Sequence, residues 1–213
     1  MTLALYGHRF SSYSWKALIA LYAKGIPFEF REVGPEHPEH EAFVQAVHPQ
    51  GKFPVLLDGE AAIFEATSII EHLALHHPGS PPLIPADPAA RAHVRALALA
   101  VACDIHPVSN LTVLARVEGL AGPQARADWN RDNIAHGLAA FEEMLDHPGF
   151  AGKFCHGDRP GLADCALVPQ LYNADRWGVG FAHLPRISAV ARSCEAHPAF
   201  RAAHPDRFAP KAR

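Results

Sequence analysis

Four prolines fall within His77–Asp87 (HPGSPPLIPAD), and this stretch constrains the chain more than any other feature. Proline fixes φ and removes a backbone donor, so no regular element crosses such a segment. The hydrophobic period differs on its two sides. Before it, short apolar runs alternate with one helical pattern. Leu3 to Gly7 is an apolar run of strand length. Trp15, Leu18, Ile19, Leu21 and Tyr22 follow at helical spacing between Ser11 and Lys24, and Gly25 stops the helix. Pro27 to Val33 (PFEFREV) alternates as a strand. A loop then leads to a strand at Val55–Leu57, a turn at Asp58-Gly59 and a returning strand at Ala62–Phe64. Glu65 to His76 closes the segment as a helix, with Ile69, Ile70 and Leu73 facing inward. After the prolines only the helical period remains, in Pro88–Val101, Asp128–Leu145, Ala163–Trp177 and Ile187–Ala196.

These patterns predict an α/β, thioredoxin-like domain over residues 1–80 in the order βαβ–ββα. Residues 88–213 are expected to form an all-α C-terminal domain, with the proline stretch as linker. Residues 1–80 carry five Lys and Arg against nine Asp and Glu, and no local basic run marks a nucleic-acid surface. No stretch reaches the roughly 20 apolar residues of a membrane span, and the start MTLALYGHRF lacks the apolar core of a leader, so a soluble, cytoplasmic protein is expected. The cysteines Cys103, Cys155, Cys165 and Cys194 lie far apart without a CxxC, which argues against a disulfide framework or a zinc cluster. No metal site is expected: His72, His76 and His77 have ligand spacing without an acidic general base between them, and His37 and His40 in VGPEHPEHE read as surface loop.

Three places could carry chemistry. Ser11, Ser12 and Tyr13 stand where the first strand enters the first helix. Unpaired N–H groups and the helix dipole stabilise an anion there, a thiolate included, while a serine at this position also serves as an ordinary N-cap. Phe53-Pro54 is a candidate cis bond whose turn would leave the Phe53 N–H and C=O free to pair with an extended peptide; a trans proline at a strand start is the alternative. Glu65 and Ala66 begin the next helix, where a ligand carboxylate would be favoured and Glu65 could take an ammonium. Tyr6, at the end of the first strand, reads as structural.

These residues resemble a known family. Ser11-Ser12-Tyr13-Ser14-Trp15-Lys16 is similar to the Ser-Ser-Cys-Ser-Trp-Arg signature of zeta-class glutathione transferases, the maleylacetoacetate isomerases. His48 to Pro54 (HPQGKFP) resembles their cis-proline loop. Ile105-His106-Pro107 with Asn110 to Leu114 resembles their helical-domain segment. Gly157 to Asp164 resembles the superfamily's helix-capping box. Leu167 to Arg176 (LVPQLYNADR) and the C-terminal HPAF and AHPD stretches match the class as well, so the likeness spans the chain.

The resemblance implies the glutathione transferase fold, glutathione as cofactor, a homodimer, and cis–trans isomerisation of maleylacetoacetate in tyrosine and phenylalanine breakdown. The partners it implies are glutathione and a small acidic or electrophilic substrate, with no nucleic acid and no membrane. It gives Ser11 and Ser12 the glutathione sulfur, beside Tyr13. Phe53 and Pro54 take the cysteinyl backbone, Lys52 the glycyl end, and Glu65 and Ala66 the γ-glutamyl end. His106, Asn110 and Thr112 would line the cleft from the second domain. Arg176 would hold a substrate carboxylate, with Arg9 as a further positive charge. Three positions depart from the pattern: Tyr13 replaces Cys, Ala66 replaces Ser, and Gly161 replaces the Ser or Thr of the capping box. The hydroxyl missing at Ala66 is worth about 0.5–1.5 kcal/mol of ligand binding. A general transferase that conjugates or dehalogenates electrophiles, and a binding domain without catalysis, are the other functions this pattern allows.

Overall fold

The computed structural model describes residues 3–78 and 81–208; Gly79 and Ser80 of the expected linker and first domain, and 1–2 and 209–213 of the expected domain ends, lie outside the described residues. The chain forms two compact units. The first comprises residues 3–84 together with 196–208, and the second 85–195. This differs from the expected division at 80 and 88: the last stretch, expected in the helical domain, packs with the first unit.

In the first unit, β1 (Leu3–Gly7), α1 (Ser12–Lys24), β2 (Phe28–Glu32), α2 (Pro38–Val47), β3 (Val55–Asp58), β4 (Ala61–Phe64) and α3 (Ala66–His76) follow in order. The sheet order is β2-β1-β3-β4; β1 and β2 run parallel, and the other pairs are antiparallel. Successive strand residues face opposite ways. Ala4, Tyr6 and Val55 therefore pack on one face with Val44, Phe43 and Val47 of α2. On the opposite side α1 packs against α3, burying Leu18, Ile19, Ile69, Ile70 and Leu73. Gly25 ends α1 in the left-handed region at φ 65, where its N–H reaches back to the last turn.

Helix α2 occupies what the sequence presented as loop. A glycine and a proline, Gly34-Pro35, precede it and a second proline opens it, which hides its start. Yet Pro38 sits at its first position and Glu39 and Glu41 in its first turn, both favourable there. The short helix α8 (Pro198–Ala203) packs on α1 and buries Ala199, Phe200 and Ala203. His204 lies edge-on to Trp15 at 5.2 Å between ring centroids.

The second unit contains α4 (Pro88–Leu99), a π-helical turn (Ala100–Ile105), α5 (Leu111–Met144), α6 (Leu162–Arg176) and α7 (Pro185–Ala196), the last ending at the boundary. The expected α-helix to Val101 thus changes register at Ala100. Helix α5 begins well before the expected Asp128 and bends at Gly122-Pro123, where Gly122 has φ 88. Gly137 lets the π turn approach: a Cβ there would lie 2.4 Å from Ile105 Cγ1. The buried Glu142 accepts the N–H groups of Arg186 and Ile187 at 2.9 Å each, and so caps α7.

Cys155, Cys165 and Cys194 are buried thiols, whereas Cys103 is exposed. Burial pushes the three buried thiols up, keeping them protonated. Asp164 at the start of α6 accepts the Cys155 and Gly161 N–H groups at 2.8 Å each. Burial raises its carboxyl to about 6, against the lowering effect of those bonds. Removing it would orphan two N–H donors at a buried helix start. Asp164→Ala is expected to destabilise the protein by about 2–4 kcal/mol, read as a lower melting temperature in calorimetry.

His93, His147 and His156 cluster in this unit: the His93 and His147 rings are tilted with centroids 3.9 Å apart, and His147 stacks on His156 at 5.7 Å. His147 Nε2 lies 3.1 Å from the Cys155 carbonyl oxygen, and its Nδ1 accepts the Gly149 N–H at 3.0 Å. Burial, then the nearby His147, lowers the His93 pKa below 6.5, with a bond to the Met144 backbone opposing and His156 adding a smaller lowering. The unfolded chain therefore takes a proton on His93 more readily than the folded one. Its contribution to stability is complete above about pH 6.5 and is lost as pH falls below that. Asp164 acts in the opposite sense, since its folded pKa is raised. Comparing wild type with His93→Gln cancels the Asp164 effect. The stability difference between them should shift against wild type from pH 7.5 to 5.5 in denaturant melts, and a constant difference would refute this account.

Candidate functional site

The strand register gathers three of the expected places. Tyr6 of β1 pairs with Val55 of β3, and Val55 pairs with Phe64 of β4. The end of β1, the start of β3 and the end of β4 thus lie side by side. The segments just beyond them, Ser11 to Tyr13, Phe53-Pro54 and Glu65-Ala66, emerge at one end of the sheet.

Ser11 is the N-cap of α1, with its Oγ accepting the Ser14 N–H at 3.3 Å. The cap reading is therefore correct for this residue, but it does not use up the hydroxyl. An oxygen that accepts from an N–H keeps its own proton to donate. Ser12 is the first helical residue, and its hydroxyl makes no hydrogen bond among the described residues. Tyr13 carries the Lys16 ammonium 5.2 Å from its ring centroid, and Lys16 is 2 % exposed.

Beneath them Ser14 is fully buried, and its Oγ accepts the His8 N–H at 3.1 Å. A Cβ on Gly7 would fall 2.6 Å from that Oγ, so the strand end must be glycine for the serine to fit. His8 and Ser14 were not singled out from the sequence. Single serines in a Ser-rich run carry no sign of which one is buried.

The Phe53–Pro54 bond is cis. The Phe53 N–H and C=O enter no backbone hydrogen bond among the described residues. Its ring stacks at 6.3 Å from His8, beside the approach to Ser11. His48 and Gly51 shape the loop: the His48 ring accepts the Gln50 N–H, its carbonyl accepts the Gly51 N–H, and Gly51 holds φ 59. Lys52 is exposed on the same loop.

Glu65 is the N-cap of α3 with φ 69, the one left-handed non-glycine among the described residues, and its side chain is exposed and caps nothing. A glutamate held at positive φ costs about 1–3 kcal/mol and persists only where the surroundings impose it. The first N–H groups of α3, from the buried Ala66 onward, have no side-chain cap.

Other expected residues have structural partners. Arg9 Nε lies 2.8 Å from Glu32 Oε2, and its guanidinium sits over the Phe30 and Phe208 rings. Tyr6 is buried and accepts a hydrogen bond from Arg31, which Glu29 foremost and then Tyr6 keep charged. Its hydroxyl is thus engaged structurally.

His106, Asn110, Thr112 and Arg176 belong to the helical unit. His106 follows the π turn and is 3 % exposed. Asn110 caps α5, its Oδ1 accepting the Thr112 N–H and Oγ1–H at 3.1 Å each. Arg176 ends α6 with an exposed guanidinium that forms no ion pair among the described residues.

Residues 5–81 match the model of the glutathione S-transferase N-terminal domain, and residues 113–204 that of its C-terminal domain. A maleylacetoacetate isomerase of Rhizobium meliloti (strain 1021) is 48 % identical over 97 % of both chains. The crystal structure of a maleylacetoacetate isomerase from Anaeromyxobacter dehalogenans 2CP-1, with glutathione bound in its active site, is 39 % identical, with a TM-score of 0.85 over 100 % of this chain and 98 % of that one. The holo structure of a maleyl pyruvate isomerase, described as a bacterial zeta-class glutathione S-transferase, is 38 % identical, with a TM-score of 0.88 over 98 % and 100 %. With the register, the cis-proline loop and the serine-capped helix in agreement, the chain belongs to the glutathione transferase family, and within it to the zeta class.

Proposed function

We propose that this chain is a glutathione-dependent cis–trans isomerase acting on maleylacetoacetate. The observation that carries the proposal is the convergence, at one end of the sheet, of a hydroxyl-capped helix start, a strand lead-in with an unpaired backbone N–H and C=O, and an uncapped second helix start. These three features have the chemistry of glutathione's thiol, its cysteinyl backbone and its γ-glutamyl carboxylate, in that order. The relatives carrying the isomerase name and the solved relative holding glutathione support the same reading.

Bound glutathione supplies a thiolate that adds reversibly to the substrate's cis double bond and leaves once the resulting single bond has rotated. The protein's part is to hold and to polarise. Ser11 donates its hydroxyl proton to the sulfur while its oxygen remains fixed by the Ser14 N–H. That oxygen is already held in place before ligand arrives, which favours an electrostatic contribution to catalysis. Ser12 adds a second hydroxyl, and the positive end of α1 favours the anion. Phe53 pairs with the cysteinyl backbone against Pro54, Lys52 meets the glycyl carboxylate, and Glu65 takes the γ-glutamyl ammonium, with the Ala66 N–H on the neighbouring carboxylate. Tyr13 would stand beside the thiol. His106, Asn110 and Thr112 would hold glutathione as well, and Arg176 would offer its planar fork to a substrate carboxylate. Arg9, paired with Glu32, contributes through the field at the strand end rather than by direct contact.

We also infer a homodimeric, cytoplasmic enzyme of aromatic amino acid breakdown. Its domains are the glutathione-binding α/β part and the helical part that completes the substrate site. The exposed Phe64 and Leu75 of the first unit are surface that a second copy would cover. No helix among the described residues is long and apolar enough to cross a membrane.

Purified protein mixed with glutathione and maleylacetoacetate should isomerise it, and omission of glutathione should abolish turnover. Conjugation of chloro-substituted electrophiles without isomerisation would replace this reading with that of a general transferase. Absence of glutathione binding in calorimetry would leave a non-catalytic domain. Because its oxygen is already held by the Ser14 N–H, Ser11→Ala should lower kcat/KM by roughly 10²-fold or more. The same change should destabilise the fold by about 1 kcal/mol through the lost cap. Ser12→Ala should cost less than Ser11→Ala in steady-state kinetics, and the reverse order would show that the uncommitted hydroxyl is the principal donor.

A further inference from the structure

Helix α2 carries a side-chain cluster that the glutathione reading does not use. His37 is its N-cap and makes no side-chain capping bond, while Glu39 and His40 lie in its first turn. His37 Nδ1 and His40 Nε2 are each 3.7 Å from Glu39 Oε1, and one ligand atom from each of the three residues lies within 4.8 Å of the others. The two imidazole rings stack with centroids 5.1 Å apart, which turns both toward the same carboxylate.

The protonation of His40 is set from behind. Its Nδ1 lies 2.7 Å from the Glu32 backbone carbonyl oxygen. A carbonyl only accepts, so Nδ1 carries a proton, and in the neutral ring the lone pair is on Nε2. Nε2 lies 3.7 Å from the Glu39 carboxylate, so in this tautomer two acceptors stand close together, an arrangement that a cation between them relieves. An imidazole whose far N–H is held by a backbone carbonyl is also how metal-ligating histidines are oriented. In a tetrahedral site with bonds near 2.0–2.1 Å, ligand atoms stand about 3.3 Å apart. The present separations need only modest side-chain rotation to reach that, and side-chain exposures of 43, 65 and 22 % leave the cluster open to solvent.

We propose that His37, Glu39 and His40 form a binding site for a divalent transition-metal ion of the Zn2+ class. Two imidazole nitrogens and one carboxylate oxygen supply the ligands, and water fills the remaining position. The positive end of α2 opposes a cation, which weakens the site. The proposal is independent of the assigned catalysis.

The experiment is a calorimetric titration of untagged protein, stripped with a chelator, against Zn2+, with Co2+ absorption as a second readout. Wild type should bind one equivalent at this site. His37→Ala and His40→Ala should each weaken that binding about tenfold or more, Glu39→Gln should also weaken it, and all three residues are exposed enough for the variants to fold. His72→Ala, which alters another stacked histidine pair, His72 with His76 at 4.1 Å, should leave it unchanged. No Zn2+ binding by wild type, or undiminished binding by the His37→Ala/His40→Ala double variant, would overturn the proposal.

Discussion

The structure of the site depends on how β1 passes into α1. Gly7 has no side chain, so Ser14 can bury its hydroxyl against the strand end and accept the His8 N–H. Those contacts fix the first turn of the helix. Ser11, one turn earlier, is then held by the Ser14 N–H, with its own proton left to donate. A buried hydroxyl without a partner would cost about 1–3 kcal/mol, so this small network is constrained to form completely. The hydroxyls of the proposed thiol site owe their placement to a serine that has no part in the chemistry.

The register of the sheet extends this constraint. Val55 lies between Tyr6 and Phe64, so the cis-proline loop and the start of α3 stand beside the start of α1. A register slip of one residue would turn every apolar side chain of β3 to the wrong face. The hydrophobic pattern that builds the core therefore also aligns the three ligand-facing segments. Glu65 illustrates the cost, held at φ 69 where β4 gives way to α3.

Much of this was legible in the chain itself. Period and punctuation gave β1, α1, β2, the β3–β4 hairpin and α3 to within a residue or two, because each is an apolar run bounded by Gly or Pro. Helix α2 was not legible, since VGPEHPEHE has the composition of a loop and its apolar face is only Phe43, Val44 and Val47. The start of α5 was missed for a related reason: its first turns expose Leu111 and Leu120, which blurs the helical period. Motif resemblance located the serine pair and the cis proline. It could not say that Arg9 is paired with Glu32, or that Asn110 and Thr112 satisfy each other as a helix cap.

The sequence by itself determined the two-part plan, the family, and which residue types stand where the strands end, because these follow from local period, turn chemistry and motif. Tertiary structure alone decided that the chain after Ala196 returns to the first unit, that Ser11 rather than Ser12 is the held hydroxyl, and that His37, Glu39 and His40 share one point in space. The physical reason is common to all three. Each depends on contacts between groups whose partners are chosen by packing, and packing leaves no periodic trace in the order of residues.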